Sequence, residues 1–536
     1  MNFFKSKDEH KLTITNDSVR VAAGILEKYR AGKASLDKRI IENEEWWRLR
    51  HLTGKDAAAS PWLFNSIINK HADAMDNIPT ITCLPREEND IKSAKLVSDI
   101  LPVILEENSF EHTYSECWYD KLKSGSACYG VFWNPSLDSG LGNVDIKRID
   151  LLNLFWEPGI TDIQASANVF HTALYDNELL REKYPVLTDS LSSPTIEVSR
   201  YIYDDTVDTS DKSCVVDWYY KKSKGGRDTV HFCKFCNGIL LYASENDELY
   251  KETGYYNHGK YPFVIDRLFP VQGSPCGFGI IDAMRSTQGQ IDALSSAIVK
   301  NAKMAAERRY FIRQDGSLNE KEFADFTRPF VHYQGSGDPN SSIMPIVTPV
   351  LSDVYVAILN NKIDELKETS GNRDFSQGSV SGGVTAAAAI AALQEAGSKT
   401  SRDSISGSYR AFEEVCSIAI CLIGQFYGLP RCFRIFGKDS ALEFMYFKND
   451  CLPEGSDQKP VFDLKVKAHK KSAFSKASTN ELALELYRMG VFNPEYAPQA
   501  EILLSLMDFE GKDEALTAIL ENAKSTAGTR LINTPV

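Results

Sequence analysis

Residues 277–306 read GFGIIDAMRSTQGQIDALSSAIVKNAKMAA, and this stretch decides the fold. Ile280, Met284, Ile291, Leu294 and Ile298 recur at helical spacing, with no proline between them. The pattern predicts one long helix rising about 1.5 Å per residue, with a narrow apolar stripe. It ends in a basic cluster, Lys300, Lys303, Arg308 and Arg309. Such a cluster either complements the negative end of the helix dipole or presents positive charge to a polyanion. A second helix is predicted over 353–368, carrying Val354, Ile358, Ile363 and Leu366. Between the two helices sits a small insert. RYFIR at 309–313 reads as a strand, 319–326 as a short helix and PFVHY at 329–333 as a second strand; Pro345, Pro349 and turn residues fill the rest. An insert of about 40 residues buries too little surface to stand alone. A neighbouring copy of the same chain is expected to complete it.

Working towards the N-terminus, all seven tryptophans (Trp46, Trp47, Trp62, Trp118, Trp133, Trp156 and Trp218) precede residue 220. Large aromatics anchor cores, so residues 1 to about 275 are expected to form a compact α/β body, with the second half built differently. Residues 17–52 read as helical. Ala94, Val97, Ile100, Leu101 and Ile104 give 90–107 helical spacing, with Pro102 expected to kink or split that helix. Residues 112–122 continue helical. Then ACYGVFW at 127–133 and VDIKRI at 144–149 flank a turn-rich segment and read as a hairpin. Further strands are predicted at 214–221, 229–236 and 239–243.

Towards the C-terminus, 370–383 (SGNRDFSQGSVSGG) is polar and rich in Gly and Ser, a composition of flexible connections. Loops this long inside a compact body are uncommon and often functional. VTAAAAIAAL at 384–393 is a strong helix former. Helicity is expected to run on towards Tyr427, with Gly397-Ser398 and Ser406-Gly407 as kink points. FDLKVKA at 462–468 alternates strictly and reads as a strand returning to the first-half sheet. Residues 481–488, 497–506 and 512–524 read as helices.

The chain has 536 residues, 43% apolar and 25% charged, which excludes disordered, collagenous and rod-like classes. Sixty Lys and Arg against 73 Asp and Glu give a net charge of −13. A surface that grips nucleic acid tightly would be basic. No stretch is long and apolar enough for a membrane span; the best, 415–426, contains Ser417, Gly424 and Gln425. The first ten residues lack an apolar core, so no signal peptide and a cytoplasmic start are expected. Eleven scattered cysteines read as reduced core thiols.

The nearest metal motif is His231-Phe-Cys233-Lys-Phe-Cys236. A zinc site needs four ligands, and no second CxxC exists. Cys214, His258 and Cys276 would have to contribute. On an alternating strand 231, 233 and 235 face one way and 236 the other. Gly397-Ser-Lys-Thr400 lacks the upstream glycine and the strand–loop context of a P-loop, so a nucleotide-driven motor is not expected. No HExxH, GxSxG or GxGxxG occurs. Asp204-Asp205 and Glu44-Glu45 are adjacent carboxylates, whose side chains diverge.

The ordered set is α/β body, long helix, small insert, second helix, polar loop, Ala-rich helix, return strand and helical C-terminus. It resembles the portal (head-to-tail connector) proteins of tailed bacteriophages. Residues 118–133 look like that family's helix–Gly–strand passage, and 150–158 (DLLNLFWEP) like the segment after its hairpin. Residues 379–390 look like the end of its tunnel loop, and 475–506 like the entry to its crown. The resemblance implies an α+β multidomain portal fold. Its parts would be a wing (1–276), stem helices (277–306 and 352–369), a clip (307–351), a tunnel loop (370–384), a kinked helix with return to the wing (385–471) and a crown (472–536).

It further implies a non-enzymatic ring, normally of twelve copies, at one capsid vertex of the virion, assembled in the host cytoplasm. Double-stranded DNA would pass through it during packaging and ejection. Large terminase, a head–tail adaptor, major capsid protein and scaffold would be its partners, with no cofactor, metal or membrane. Arg373, Asp374, Ser376, Gln377, Gly378, Ser379, Ser381, Gly382 and Gly383 of the loop, and Lys300 and Lys303 of the stem, would face the channel. Arg308, Arg309, Tyr310, Phe330, His332 and Tyr333 would form the adaptor surface. The charge fits: each exposed cation–phosphate contact adds affinity by counterion release, so an acidic ring favours sliding over holding. The alternatives are a metal-dependent nuclease or zinc enzyme using His231, Cys233 and Cys236, and another capsid-associated minor head protein.

Overall fold

A computed structural model describes residues 13–52, 60–188, 190–191, 208–224, 226–307, 309–313, 318–334, 338, 343–347, 351–371, 399–436, 442–448, 463–470, 484–491 and, beyond these, 500, 502–504, 516 and 518–519. The helices are α1 (Asn16–Trp47), α2 (Trp62–Met75), α3 (Ile91–Glu107), α4 (Phe110–Ser124), α5 (Asn177–Lys183), α6 (Ile280–Ala306), α7 (Glu320–Ala324), α8 (Asp353–Ser370) and α9 (Lys399–Phe426). The strands are β1 (Asn77–Leu84), β2 (Ser126–Asn134), β3 (Asn143–Ile149), β4 (Leu154–Trp156), β5 (Asn168–Asp176), β6 (Lys212–Lys224), β7 (Arg227–Cys236) and β8 (Ile239–Ala243). They continue as β9 (Phe263–Arg267), β10 (Phe269–Pro270), β11 (Gly277–Phe278), β12 (Arg309–Ile312), β13 (Ile343–Ile346), β14 (Arg431–Phe436), β15 (Leu442–Phe447) and β16 (Asp463–Lys470). The chain divides into two units, Met1–Ala72 with Ile81–Val466, and Asp73–Thr80 with Lys467–Val536.

In the first unit a five-stranded antiparallel sheet runs β4-β5-β6-β7-β8. Period-2 alternation gives it two apolar faces. Val19, Ala22, Leu26 and Tyr29, one stripe of α1, pack against Phe170, Val216, Cys233 and Phe235. Val215 and Cys236 turn to the opposite face and meet Leu180, Leu187 and Leu191. A second sheet, β3-β2-β9, is three-stranded. It packs with α4 and α9 around aromatics, Phe110 lying 5.1 Å from Phe412 and Trp133 stacking 4.7 Å from Phe426. In the second unit Leu486, Val491, Ala500, Leu504 and Ile519 form a small core of their own.

The mixed helix-and-sheet architecture is as expected, and several particulars differ. Pro102 does not split α3, which runs unbroken through it. Ser406-Gly407 lies within α9, and Gly397-Ser398 lies outside the described residues. Residues 329–333 form no strand; Tyr333 makes only a single bridge to Leu318. The strand partner of β12 is β13, register Tyr310↔Pro345 and Phe311↔Met344. In a two-stranded ribbon half the N–H groups point outward, so a proline costs no ladder bond there. β16 returns to the first half, but it pairs with β1 in a two-stranded sheet and joins neither larger one. The second half also contributes to the core of the first unit. Val415, Cys416, Ile418, Ala419, Leu422 and Ile423 of α9 are fully buried, and the hairpin β14–β15 adds Phe433 and Phe447 to the same core.

Candidate channel arm and insert surface

α6 and α8 lie side by side, joined near their outer ends by Leu351 N donating to Asn301 Oδ1 at 3.3 Å. The two halves of α6 differ. Ile280, Ile281, Met284, Gln288, Ile291 and Asp292 are buried in the body, whereas 299–306 are exposed apart from the half-buried Asn301. Each buried aliphatic of the inner half contributes about 1.5–3 kcal/mol. Its start is set by backbone contact. Gly125 caps α4 in the left-handed conformation at φ 86°, and an added Cβ would strike the backbone of Phe278 and Gly279. A Cβ on Gly279 would lie 2.6 Å from the Lys123 carbonyl. Asp282 Oδ2 accepts from Gly279 N at 2.8 Å and Asp282 Oδ1 from Asn43 Nδ2 at 2.9 Å, tying the helix start to α1.

Further along, Asp292 is a buried carboxylate served from three sides. Gln288 Nε2 donates at 2.9 Å and Ser60 N at 3.3 Å, and His51 Nε2 lies 3.2 Å away. The His51 ring stacks on Trp46 with centroids 3.8 Å apart. Here the body ends and the arm begins.

Lys300 and Lys303 stand on the outer half of α6, both exposed. Arg309 and Tyr310 follow on β12. α7 gathers the insert: Phe323 meets Tyr310 edge-on at 4.9 Å, and Glu322 Oε2 accepts from His332 N at 2.9 Å and contacts His332 Nδ1 at 2.6 Å. Arg328 closes on Asp325 at 3.3 Å and Glu322 at 3.6 Å. The two hydrogen bonds from His332 hold the Glu322 carboxyl below its usual range. The structure thus brings Tyr310 and His332 together at one small helix, sets Tyr333 beside Leu318 just before it and leaves Phe330 projecting. Arg308 and the loop residues Arg373, Asp374, Ser376, Gln377, Gly378, Ser379, Ser381, Gly382 and Gly383 lie outside the described residues.

The sequence reading missed the most unusual property of this arm. Phe326 is 97% exposed, Val347 82% and Phe330 75%; Phe311, Met344, Val354, Tyr355, Val356 and Ile358 are also exposed. The run VYVAI at 354–358 was a visible signal: apolar residues all round a helix ask for cover on every side.

The possible zinc ligands scatter. Cys233 lies in the core under α1 and Cys236 in the core on the other face of the sheet. Burial pushes their thiols up to about 12 and about 11, against thiolate formation. His231 stacks on Tyr220, and its Nδ1 lies 3.2 Å from Ser244 Oγ.

Residues 65–529 match the model of the phage P22-like portal protein family. The chain belongs to that family. No curated protein matches it. Portal proteins are structural, ring-forming components of the virion that work with capsid and DNA, and an arm of exposed apolar side chains suits a subunit of such a ring. No helix among the described residues is long and apolar enough to cross a membrane.

Proposed function

We propose that twelve copies of this portal protein close into a ring at one capsid vertex. The ring forms the channel for DNA packaging and ejection and the docking platform for large terminase and a head–tail adaptor, with scaffold and major capsid protein bound around it. The division into wing, stem, clip, tunnel loop and crown drawn from the sequence is part of this reading. Its main support is the arm. Two helices and a ribbon that expose Phe311, Phe326, Met344 and Val347 lack the core of a free-standing domain. Contiguous exposed apolar surface marks an interaction site. Sister subunits on either side supply the missing cover, and the ring closes because each copy offers the same two flanks.

In this assembly Lys300 and Lys303 guide the duplex, and 370–384 contacts it through Ser, Gln and Gly with Arg373 and Asp374 cancelling in charge. The insert meets the adaptor through Arg308, Arg309, Tyr310, Phe330, His332 and Tyr333. The whole subunit carries −13, so the ring repels phosphate overall and the duplex slides.

End-on class averages of purified protein in the electron microscope test the ring: a closed annulus with a central hole is expected. Only monomers by mass photometry across a broad concentration range, with scaffold supplied, refutes it. Deleting 376–383 is expected to leave the ring intact while impairing DNA packaging or retention; wild-type packaging would remove that role from the loop. Lys300→Glu with Lys303→Glu is expected to alter DNA passage at unchanged thermal stability, whereas a collapse in stability would make the two lysines helix-end residues only.

A further inference from the structure

Lys121 of α4 is completely buried, and so, to within 2% exposure, is the Asp266 carboxylate that faces it from β9. The ammonium donates to Asp266 Oδ1 at 2.8 Å, to Ser408 Oγ at 2.7 Å and to the Ser404 carbonyl at 3.0 Å. An ammonium has three N–H donors, so all are used. Ser408 Oγ donates in turn to Asp266 Oδ2, closing the circuit. Trp118 covers the ammonium with its ring centroid 4.6 Å away. The fit depends on α9 coming close: a Cβ on Gly407 would lie 3.8 Å from Lys121 Nζ and 3.9 Å from the Arg267 carbonyl.

Removing two charges from water costs about what their attraction returns, so a buried ion pair adds little net stability and acts, where it acts, on conformational specificity. Burial along α9 shows where that specificity would be needed. From Ala411 to Ile423 the helix buries Ala411, Phe412, Val415, Cys416, Ile418, Ala419, Leu422 and Ile423. Between 401 and 410 only Ile405 and Ser408 are buried. Apolar packing therefore seats the second half of α9 and leaves the first half to the polar circuit and the single apolar contact of Ile405.

We infer that Lys121 is a positioning residue that pins the first turns of α9 to the body independently of the packing that seats the rest of the helix. α9 begins directly after 372–398, so the pin fixes the point from which that segment departs. The inference concerns described helix and body alone and stands apart from the channel reading. If the channel reading holds as well, the pin sets one end of the tunnel-loop segment.

Hydrogen exchange read by mass spectrometry on the full-length protein tests it, with Lys121→Met/Asp266→Leu removing both charges. Amides of 401–410 are expected to exchange at least about tenfold faster while those of 412–426 stay within about twofold, with no fall in thermal midpoint. Ser408→Ala is expected to show the same pattern more weakly, and Ser408→Thr, which keeps the hydroxyl, to exchange like wild type. Unchanged exchange over 401–410 overturns the inference. So does an equal rise over 412–426, the signature of a merely structural role. Should the double variant fail to fold, the Ser408→Ala and Ser408→Thr pair decides by the same readout.

Discussion

Gly125 occupies a site no other residue can share. Its φ of 86° already disfavours a side chain, and the backbone of Phe278 and Gly279 fills the space where a Cβ would go. Gly125→Ala is expected to cost about 2–4 kcal/mol, read as a lowered denaturation midpoint of the body. Glu44 carries a different kind of dependence. Burial alone would raise its carboxyl, but Lys123 Nζ at 2.8 Å and Arg48 Nε at 2.9 Å hold it below the ordinary 4.5. A carboxyl depressed in the folded state stabilises above its unfolded value, and that stability is lost as pH falls through the folded one. Glu44→Gln is therefore expected to lower the thermal midpoint at pH 7. The gap to wild type should close as the pH drops from 4.5 through the depressed value. Neither residue announced its role in the sequence. Ser124-Gly125-Ser126 was visible as a helix stop, but its contact with a backbone some 150 positions away rests on tertiary approach. Lys121 was equally silent, because composition does not tell a buried lysine from a solvated one.

At the scale of elements, α9 and α7 carry aromatics of opposite fate. Phe412 is 2% exposed and meets Phe110, while Phe326 stands in solvent after α7. Phe412→Ala is expected to destabilise the body by about 3–5 kcal/mol, and Phe326→Ala to change an isolated subunit by less than about 0.5 kcal/mol; urea titration of the two variants under non-assembling conditions separates them. Long periodic elements were readable: α6, α8, the β2–β3 hairpin and β6 to β8 fall where spacing put them. The failures have physical causes. FVHY at 330–333 has stronger strand propensity than IMPI at 343–346, yet register with β12 belongs to the latter, since pairing is decided by what lies opposite. The hairpin of Arg431–Phe436 and Leu442–Phe447 escaped notice although its residues alternate, with Phe433 and Phe447 inward and Phe444 and Tyr446 outward. The tryptophan distribution did not reveal that Trp133 has its stacking partner in Phe426, nearly 300 positions on.

For the whole molecule, surface that is idle in one copy is expected to become structural in many. Replacing Phe326, Met344 and Val347 together by Ser is expected to leave the thermal midpoint of the unassembled subunit unchanged and to abolish ring formation, scored by mass photometry and negative-stain imaging. Rings at wild-type yield would move the subunit contacts elsewhere. Family membership was legible because the order of parts survives in a chain with no catalytic signature. The channel residues were not, since facing an axis is a property of neighbours. One feature of the arm reaches beyond assembly. α6 is about 40 Å long, embedded in the body for its first half and paired with α8 outside it for its second. Load applied at the insert would bend the α6–α8 pair, and the moment on α6 would peak where its embedding ends, at Asp292 between His51, Ser60 and Gln288. The stiffness with which a subunit would answer a push at the insert is therefore expected to depend on this grip, far from the surface that receives the push.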